Sequence, residues 1–275
     1  MYMPKGVLID LTRCTGCRGC QAACKEWNER KARRTTLSGN FTNPSRLNSD
    51  CYTHIRFHEQ EMDGVPVWSF VKNQCLHCKK PACASACPVG ALAKTEAGPV
   101  IYHFDRCIGC RYCMLACPFE IPKYEWESAF PWVQKCSFCS ERIRDGLVPA
   151  CIKTCPTETM LYGEYDDIVK EAKARIRRNP GKYVPHIYGL EEAGGTSWIY
   201  ISGVPFDKIG FNTHVGSAVL PAITWKSLAK IPFSVTALVA LLGAIAWIRN
   251  RGEIGGQTTD RGPEAEGGTR KTPAP

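Results

Sequence analysis

Apolar and polar positions alternate most clearly near the start of the chain, where Lys5 to Leu11 predicts a short strand that leads through a loop into a helix around Ala22, Ala23 and Trp27. Val67 to Val71 predicts a second strand, and Val100 to Phe104, behind a turn at Gly98-Pro99, a third. From Tyr165 to Arg178 the apolar Ile168, Val169, Ala172, Ala174 and Ile176 stand on a charged background, which predicts an amphipathic helix. Its basic end (Arg175, Arg177, Arg178) suits a helix C-terminus, and Asn179-Pro180-Gly181 stops it. Ser197 to Ser202 predicts a further strand; Gly194-Gly195 before it lacks the rest of a nucleotide-binding pattern and reads as a turn. Ile231 to Ile248 then runs without a charge, about 27 Å as a helix, between Lys230 and Arg249 with Trp225 and Trp247 near its ends. The Gly-, Pro- and charge-rich stretch from Arg251 to Pro275 reads as a disordered tail that cannot cover such a helix, so a membrane span is preferred to a buried core helix. Asn28 to Asp63 has no clear period and carries a basic run, Arg30, Lys31, Arg33 and Arg34. It is read as a loop-rich docking or covering insertion with too little apolar content for its own core.

Cysteine changes the picture. The chain of 275 residues holds 17 of them, and their spacing points two sulfurs at one centre, which suits metal ligation better than disulfide stapling. Cys107, Cys110, Cys113 and Cys117 form C-x2-C-x2-C-x3-C-P, the run that holds bacterial iron-sulfur clusters, in which the fourth cysteine reaches to a neighbouring cluster. Cys75, Cys78, Cys83 and Cys87 make a second quartet, Cys14, Cys17, Cys20 and Cys24 a third, and Cys136, Cys139, Cys151 and Cys155 a fourth. Zinc is the alternative for any C-x2-C pair, but Cys87-Pro88, Cys117-Pro118 and Cys155-Pro156 carry the proline of cluster sites. Cys24 is followed instead by Lys25.

The quartets repeat. TRCTGCRGC echoes DRCIGCRYC, and PACASACP echoes PACIKTCP with SERIRDGLV inserted ahead of the second copy. The order is A-B-A-B, which leaves the spatial pairing open. The middle two quartets have the length of a compact ferredoxin, leaving the outer two to pair around them. Cys51 stands alone, and His54 and His58 read as ordinary side chains. His77, between Cys75 and Cys78, is either a hydrogen-bond donor to a cluster sulfur or a packed histidine.

A formal charge of +9 would ordinarily suggest nucleic acid or an anionic surface. Four clusters, each about −2 with its thiolates, subtract about 8 and bring the chain near neutrality. Arg13, Arg18, Arg106, Arg111, Lys135 and Arg142 sit beside cluster cysteines in sequence and are read in part as local compensation. No secretory or twin-arginine signal is read in MYMPKGVLID.

Four quartets in this order, the long gap in the fourth, the GGT strand and one C-terminal span together resemble the iron-sulfur (beta) subunits of membrane-bound respiratory oxidoreductases. CRYCMLACPFEIPKY and HIYGLEEAGGTSWIYISGVPF lean toward the periplasmic nickel-iron hydrogenase type, and the missing signal peptide toward the formate dehydrogenase-N type. The resemblance implies four [4Fe-4S] clusters, held by Cys14/Cys17/Cys20/Cys155, Cys136/Cys139/Cys151/Cys24, Cys75/Cys78/Cys83/Cys117 and Cys107/Cys110/Cys113/Cys87. The expected fold is α+β: two interleaved two-cluster ferredoxin-like units with long insertions, plus one C-terminal transmembrane helix. Residues 1–160 form the cluster region (inner unit 66–118, outer unit 5–27 with 131–160), 161–225 an extension toward the membrane, 226–250 the anchor and 251–275 the tail.

The resemblance further implies a non-catalytic electron carrier. It would link a catalytic subunit, a molybdopterin formate dehydrogenase or a nickel-iron hydrogenase, to a cytochrome b or quinone-reactive membrane subunit. It would sit in the inner membrane with its clusters on the periplasmic face, exported with a signal-bearing partner. A molybdopterin reductase module of polysulfide or sulfoxide type, running in the opposite direction, is the alternative. A zinc-dependent nucleic-acid-binding module is disfavoured by the charge correction.

Overall fold

The computed structural model describes residues 4–36, 39–62 and 64–256; the tail expected at 251–275 lies outside the described residues beyond position 256. The chain divides into two compact units between Ile223 and Thr224. The first begins with β1 (Lys5–Asp10), α1 (Gly19–Trp27), β2 (His54–Met62), β3 (Val65–Asn73), α2 (Ala82–Ser85), β4 (Leu92–Lys94), β5 (Val100–Tyr102) and α3 (Tyr112–Ala116). It continues with β6 (Lys123–Tyr124), β7 (Val133–Gln134), α4 (Ser140–Arg144), α5 (Ala150–Lys153), β8 (Met160–Glu164), α6 (Tyr165–Arg178) and β9 (Trp198–Ile201). Helix α7 (Leu220–Leu228) crosses the division and α8 (Ile231–Gly256) lies in the second unit.

Strand β1 is the centre of a three-stranded sheet, antiparallel to β8 and parallel to β9. Its period of two sorts the apolar side chains onto two faces. Val7 and Ile9 join the core that contains Ile55, Val71, Phe138, Trp198 and Tyr200, on the side of the cysteine loops. Leu8 points the other way and packs with Ile168, Ala172, Ile199 and Ile201. Helix α6 has the predicted bounds because Ile168 and Ala172, four apart, fall on one face and cover that side of the sheet. Truncating the buried Ile168 to Ala would leave a cavity there at a cost of about 2–5 kcal/mol.

Asp10, buried at the end of β1, ties the sheet to its cover. Its Oδ1 accepts from Thr12 N and Oγ1 at 3.2 and 2.7 Å, and its Oδ2 accepts from Arg175 Nη1 and Tyr183 Oη at 3.1 and 2.9 Å. A buried carboxylate is tolerable with its lone pairs met in this way.

The insertion 28–63 is not loop throughout. Residues His54–Met62 form β2, which pairs along its length with β3 from His54↔Asn73 to Met62↔Val65. Its sequence, HIRFHEQEM, is polar on the exposed side, so the alternation is carried mainly by Ile55 and Phe57 and escapes a search for apolar runs. Between Asn28 and Thr53 the described residues form no helix or named strand.

In the second unit α8 is apolar on every face from Ile231 to Ile248 and then carries Arg249 and Arg251. The most apolar 18 residues of the candidate span Leu220–Arg251 have a mean hydropathy of 2.2 and are exposed. A helix stretch hydrophobic on every face belongs in a protein core or a bilayer, and the uncharged run of α8, about 27 Å long, comes close to the roughly 30 Å hydrocarbon thickness.

Candidate metal centres

The internal repeat of the sequence is also a repeat of backbone conformation. A single 3-10 turn delivers Cys14 at φ −73°, ψ 128° and another delivers Cys107 at φ −73°, ψ 127°. Gly16 and Gly109 follow at φ 69° and 70°, and Arg18 and Arg111 at φ 61° and 62°. A Cβ at Gly16 would meet the Phe70 ring at 3.0 Å, so glycine is required there by space as well as by φ. A left-handed arginine costs about 1 kcal/mol, and the same strain at both sites marks a loop wound round a body it must enclose. In the other copied module His77 and Phe138 take φ 50° and 59°, while Pro81 and Pro149 open the short helices α2 and α5.

These loops bring cysteines from distant quartets together. Cys14, Cys17, Cys20 and Cys155 line one cavity with Thr157, Thr159 and Met160. Cys24, Cys136, Cys139 and Cys151 line another with Tyr52, Phe138 and Trp198. Cys87, Cys107, Cys110 and Cys113 line a third with Leu92, Tyr102 and Val133. The remaining four sit together as well: burial raises the Cys78 thiol, and the neighbouring charges that raise it further are those of Cys75, Cys117 and Cys83.

Electrostatic neighbours give the order of the four groups. Cys20 of the first group feels Cys151 of the second. Cys136 of the second feels Cys75 of the group around Cys78. Cys113 of the group around Cys107 feels Cys83 of that same group around Cys78. These neighbours connect the groups in succession, from the Cys14 group through the Cys24 and Cys78 groups to the Cys107 group.

The donor sets fit iron-sulfur clusters. One metal ion would draw four sulfurs to about 2.3 Å and leave no space between them, and among the described residues no three His, Cys, Asp or Glu side chains converge on one ion. Burial pushes the thiols of Cys20, Cys83 and Cys136 up to about 12 and those of Cys113 and Cys117 to about 11. Such thiols lose their protons to a metal, not to water. Amides stand ready to support the charge: Ala91 N donates to Cys87 Sγ at 3.2 Å, Phe138 N to Cys136 Sγ at 3.3 Å and Gly109 N to Cys107 Sγ at 3.4 Å. At Cys87 and Cys155, where burial alone would raise the thiol, backbone amides and, for Cys155, the Thr157 and Thr159 hydroxyls outweigh it and lower the pKa.

Two lysines, Lys72 and Lys135, are buried among the centres, and a third, Lys94, is partly buried. Lys135 Nζ donates to the carbonyls of Val100 and Cys136, and Lys94 Nζ to those of His77 and Gly98 and to Ser197 Oγ. Lys72, on β3, lines both the Cys14 cavity and the Cys24 cavity. Burial alone would lower it, and the thiolates of Cys151 and Cys20 more than reverse the effect, so it is raised. Lys72 and Lys94 were not legible as site residues; a lysine in an otherwise apolar strand leading to Cys75 was the one available signal. Of the other basic groups, Arg18 and Arg111 line the cavities of their loops. Arg13 pairs instead with Glu158 at 3.7 Å and Arg106 with Asp105 at 4.0 Å, while Arg142 lies 4.5 Å from the Trp27 ring centroid.

His77 is fully buried. Its Nδ1 accepts from Val100 N at 2.9 Å, which leaves the proton on Nε2, and its ring lies 5.0 Å from that of Phe138. Nε2 has no partner among the described residues. Cys51 is buried away from the three cavities and its Sγ donates to Thr53 O at 3.1 Å. His54 binds Pro44 O and Asn73 Nδ2, and His58 is half-buried on the same strand.

Residues 66–165 match the family described as a 4Fe-4S dicluster domain, and residues 11–27 a 4Fe-4S binding domain. The chain is 34% identical over 263 residues to the formate dehydrogenase-O iron-sulfur subunit of Escherichia coli (strain K12), covering 90% of this chain and 84% of that subunit. It is 35% identical over 238 residues to the hydrogenase-2 operon protein HybA of Escherichia coli O157:H7, covering 74% and 71%. It is 37% identical over 197 residues to the nitrate-inducible formate dehydrogenase iron-sulfur subunit of Escherichia coli (strain K12), covering 70% of this chain and 66% of that one.

Proposed function

The chain belongs to the family of 4Fe-4S iron-sulfur subunits that includes those of formate dehydrogenase and the hydrogenase-2 operon protein, and from that premise we propose that it is a four-cluster wire between a catalytic subunit and the membrane. Four [4Fe-4S] clusters would be held by Cys14/Cys17/Cys20/Cys155, Cys24/Cys136/Cys139/Cys151, Cys75/Cys78/Cys83/Cys117 and Cys87/Cys107/Cys110/Cys113. The observation that carries this reading is the lining of three cavities, each by three cysteines of one quartet and one of another. Two interleaved ferredoxin-like units follow from such sharing.

Bound clusters supply one-electron transfer. The residues of this chain fix their spacing, keep water from the inner sulfurs and supply amide and ammonium charge that sets their potentials. The linear order of the cysteine groups supports a single path with one entrance and one exit. The apolar run of α8 supports an anchor, and the resemblance to membrane-bound respiratory subunits favours the cysteine-rich unit on the periplasmic face and a cytochrome b or quinone-reactive subunit as the acceptor. The catalytic partner would be a molybdopterin formate dehydrogenase or a nickel-iron hydrogenase.

The test is to express the full chain, and a truncation ending before Lys226, with each candidate catalytic partner and the membrane subunit. Formate or hydrogen should bleach the cluster absorbance of both forms, because the ligands lie upstream of the cut. Added quinone should re-oxidise only the full chain in membranes. Equal quinone reduction and membrane retention by the truncation would overturn the anchoring role, and failure of both electron donors to bleach the clusters would overturn the choice of partner.

A further inference from the structure

Lys72 is 2% exposed, and among the described residues no carboxylate lies within ion-pair distance of it. A buried ammonium without a counter-ion costs several kcal/mol, so a lysine at this place needs negative charge that the ordinary side chains do not provide. Its surroundings say where that charge is. Nζ donates to Thr53 Oγ1 at 3.0 Å and to Gln74 Oε1 at 2.9 Å, and lies 4.9 Å from the centroid of the Trp198 ring. An ammonium has three N–H groups, and no protein acceptor among the described residues takes the third. The same side chain lines two cavities, one with Cys14, Cys17, Cys20 and Cys155, the other with Cys24, Cys136, Cys139 and Cys151.

Lys135, also buried, and Lys94, partly buried, differ. Both donate to backbone carbonyls and brace loops, and Lys94 donates to Ser197 Oγ besides. Lys72 holds two side-chain acceptors and is otherwise directed at the two cysteine groups. Gln74 is itself fixed, since its Nε2 donates to Tyr200 Oη at 2.7 Å and Tyr200 Oη donates to Lys72 O at 3.1 Å. The lysine is thus held by a closed ring of hydrogen bonds and cannot swing away to solvent.

We propose that the Lys72 ammonium is a positive charge shared by the two neighbouring clusters of the Cys14 and Cys24 groups, raising the reduction potentials of both together. This rests on the four-cluster reading above. A reduced cluster carries one more negative charge than an oxidised one, so a fixed cation nearby stabilises the reduced form, and more strongly in a low-dielectric interior than in water. One residue between two centres moves them in step. The drop between them is preserved while the pair is set against the two clusters further along the line.

The experiment uses the full chain, purified anaerobically, with iron content measured first and each cluster followed by EPR during a redox titration. In Lys72→Met, all four clusters should be present and two of the four midpoints should fall, each by a tenfold or larger change in the reduction equilibrium, about 59 mV for a one-electron couple. The other two should stay, and Lys72→Arg should lie close to the wild type. A Lys72→Met variant with full iron and four unchanged midpoints overturns the inference while leaving the four-cluster reading intact. A wild-type chain lacking the two outer signals overturns the reading itself. Should Lys72→Met lose those two clusters outright, Lys72→Gln, which still donates to Thr53 and Gln74, decides the matter. Loss in both neutral variants with retention in Lys72→Arg supports the charge, and loss in all three overturns it.

Discussion

Cys155 lines the same cavity as Cys14, although the two stand at opposite ends of the cysteine-bearing sequence. The sheet is the reason. Strand β1 runs into the loop of Cys14, strand β8 leaves the loop of Cys155, and the two strands pair antiparallel with Ile9 opposite Met160. Asp10 N donates to Thr159 O at 2.8 Å and continues the ladder up to the cavity. Two strands in register bring the two loops to the same end of the sheet.

Replacing Cys155 by Ser should therefore remove or convert the cluster of Cys14, Cys17 and Cys20 and leave the signals of the Cys78 and Cys107 groups unchanged. EPR of the reduced variant, with iron analysis, reads this directly. Loss of a signal from the inner groups instead would contradict the sharing.

Cys51 gives the opposite expectation. Its Sγ donates to Thr53 O and faces none of the three cavities. A serine can make the same hydrogen bond, so Cys51→Ser should keep full iron content and cost no more than about 1 kcal/mol of stability. A variant short of one cluster would show that Cys51 is a ligand.

His54 carries a pH dependence. Burial, which outweighs the hydrogen bond to Pro44 O, lowers its pKa to about 4, and Arg56, Lys72 and Lys123 press in the same direction. Its ordinary value is near 6.5, so the folded chain binds the proton less readily than the unfolded chain. Above pH 6.5 neither state is protonated and the residue adds no pH dependence. As pH falls from about 6.5 to 4 the unfolded state gains protons and the β2–β3 hairpin loses up to about 3 kcal/mol. The opening free energy of residues 54–62 from amide exchange, with the intrinsic pH dependence of exchange divided out, should fall across that window in the wild type and stay flat in His54→Gln. Identical profiles would contradict this assignment.

Much of this was legible because the relevant forces are periodic or local. Helix α6 has the bounds expected from its apolar stripe and its Asn179-Pro180-Gly181 stop, and Lys5–Asp10 is a strand as its alternation requires. The copied motifs in the sequence are copied loops in space because glycine at a fixed offset permits the left-handed turn at Gly16 and Gly109, and the cysteine spacing imposes the same turn on Arg18 and Arg111. Strand β2 escaped because its outer face is polar and its partner, not its own composition, holds it in the sheet. Lys72 and Asp10 escaped for a different reason. Each is a charged residue in an apolar strand, and what makes it tolerable, two cysteine cavities in one case and Arg175 with Tyr183 in the other, comes from far away in the chain.

Four groups of four cysteines would each hold one [4Fe-4S] cluster. Iron and acid-labile sulfide measured against protein concentration on the anaerobically purified full chain, with Mössbauer spectra of the same sample, test it most directly. About sixteen irons and sixteen sulfides per chain are expected, with a spectrum of [4Fe-4S] type throughout. A fully occupied preparation with clearly fewer irons, or with stoichiometric zinc in any of the four groups, would contradict it.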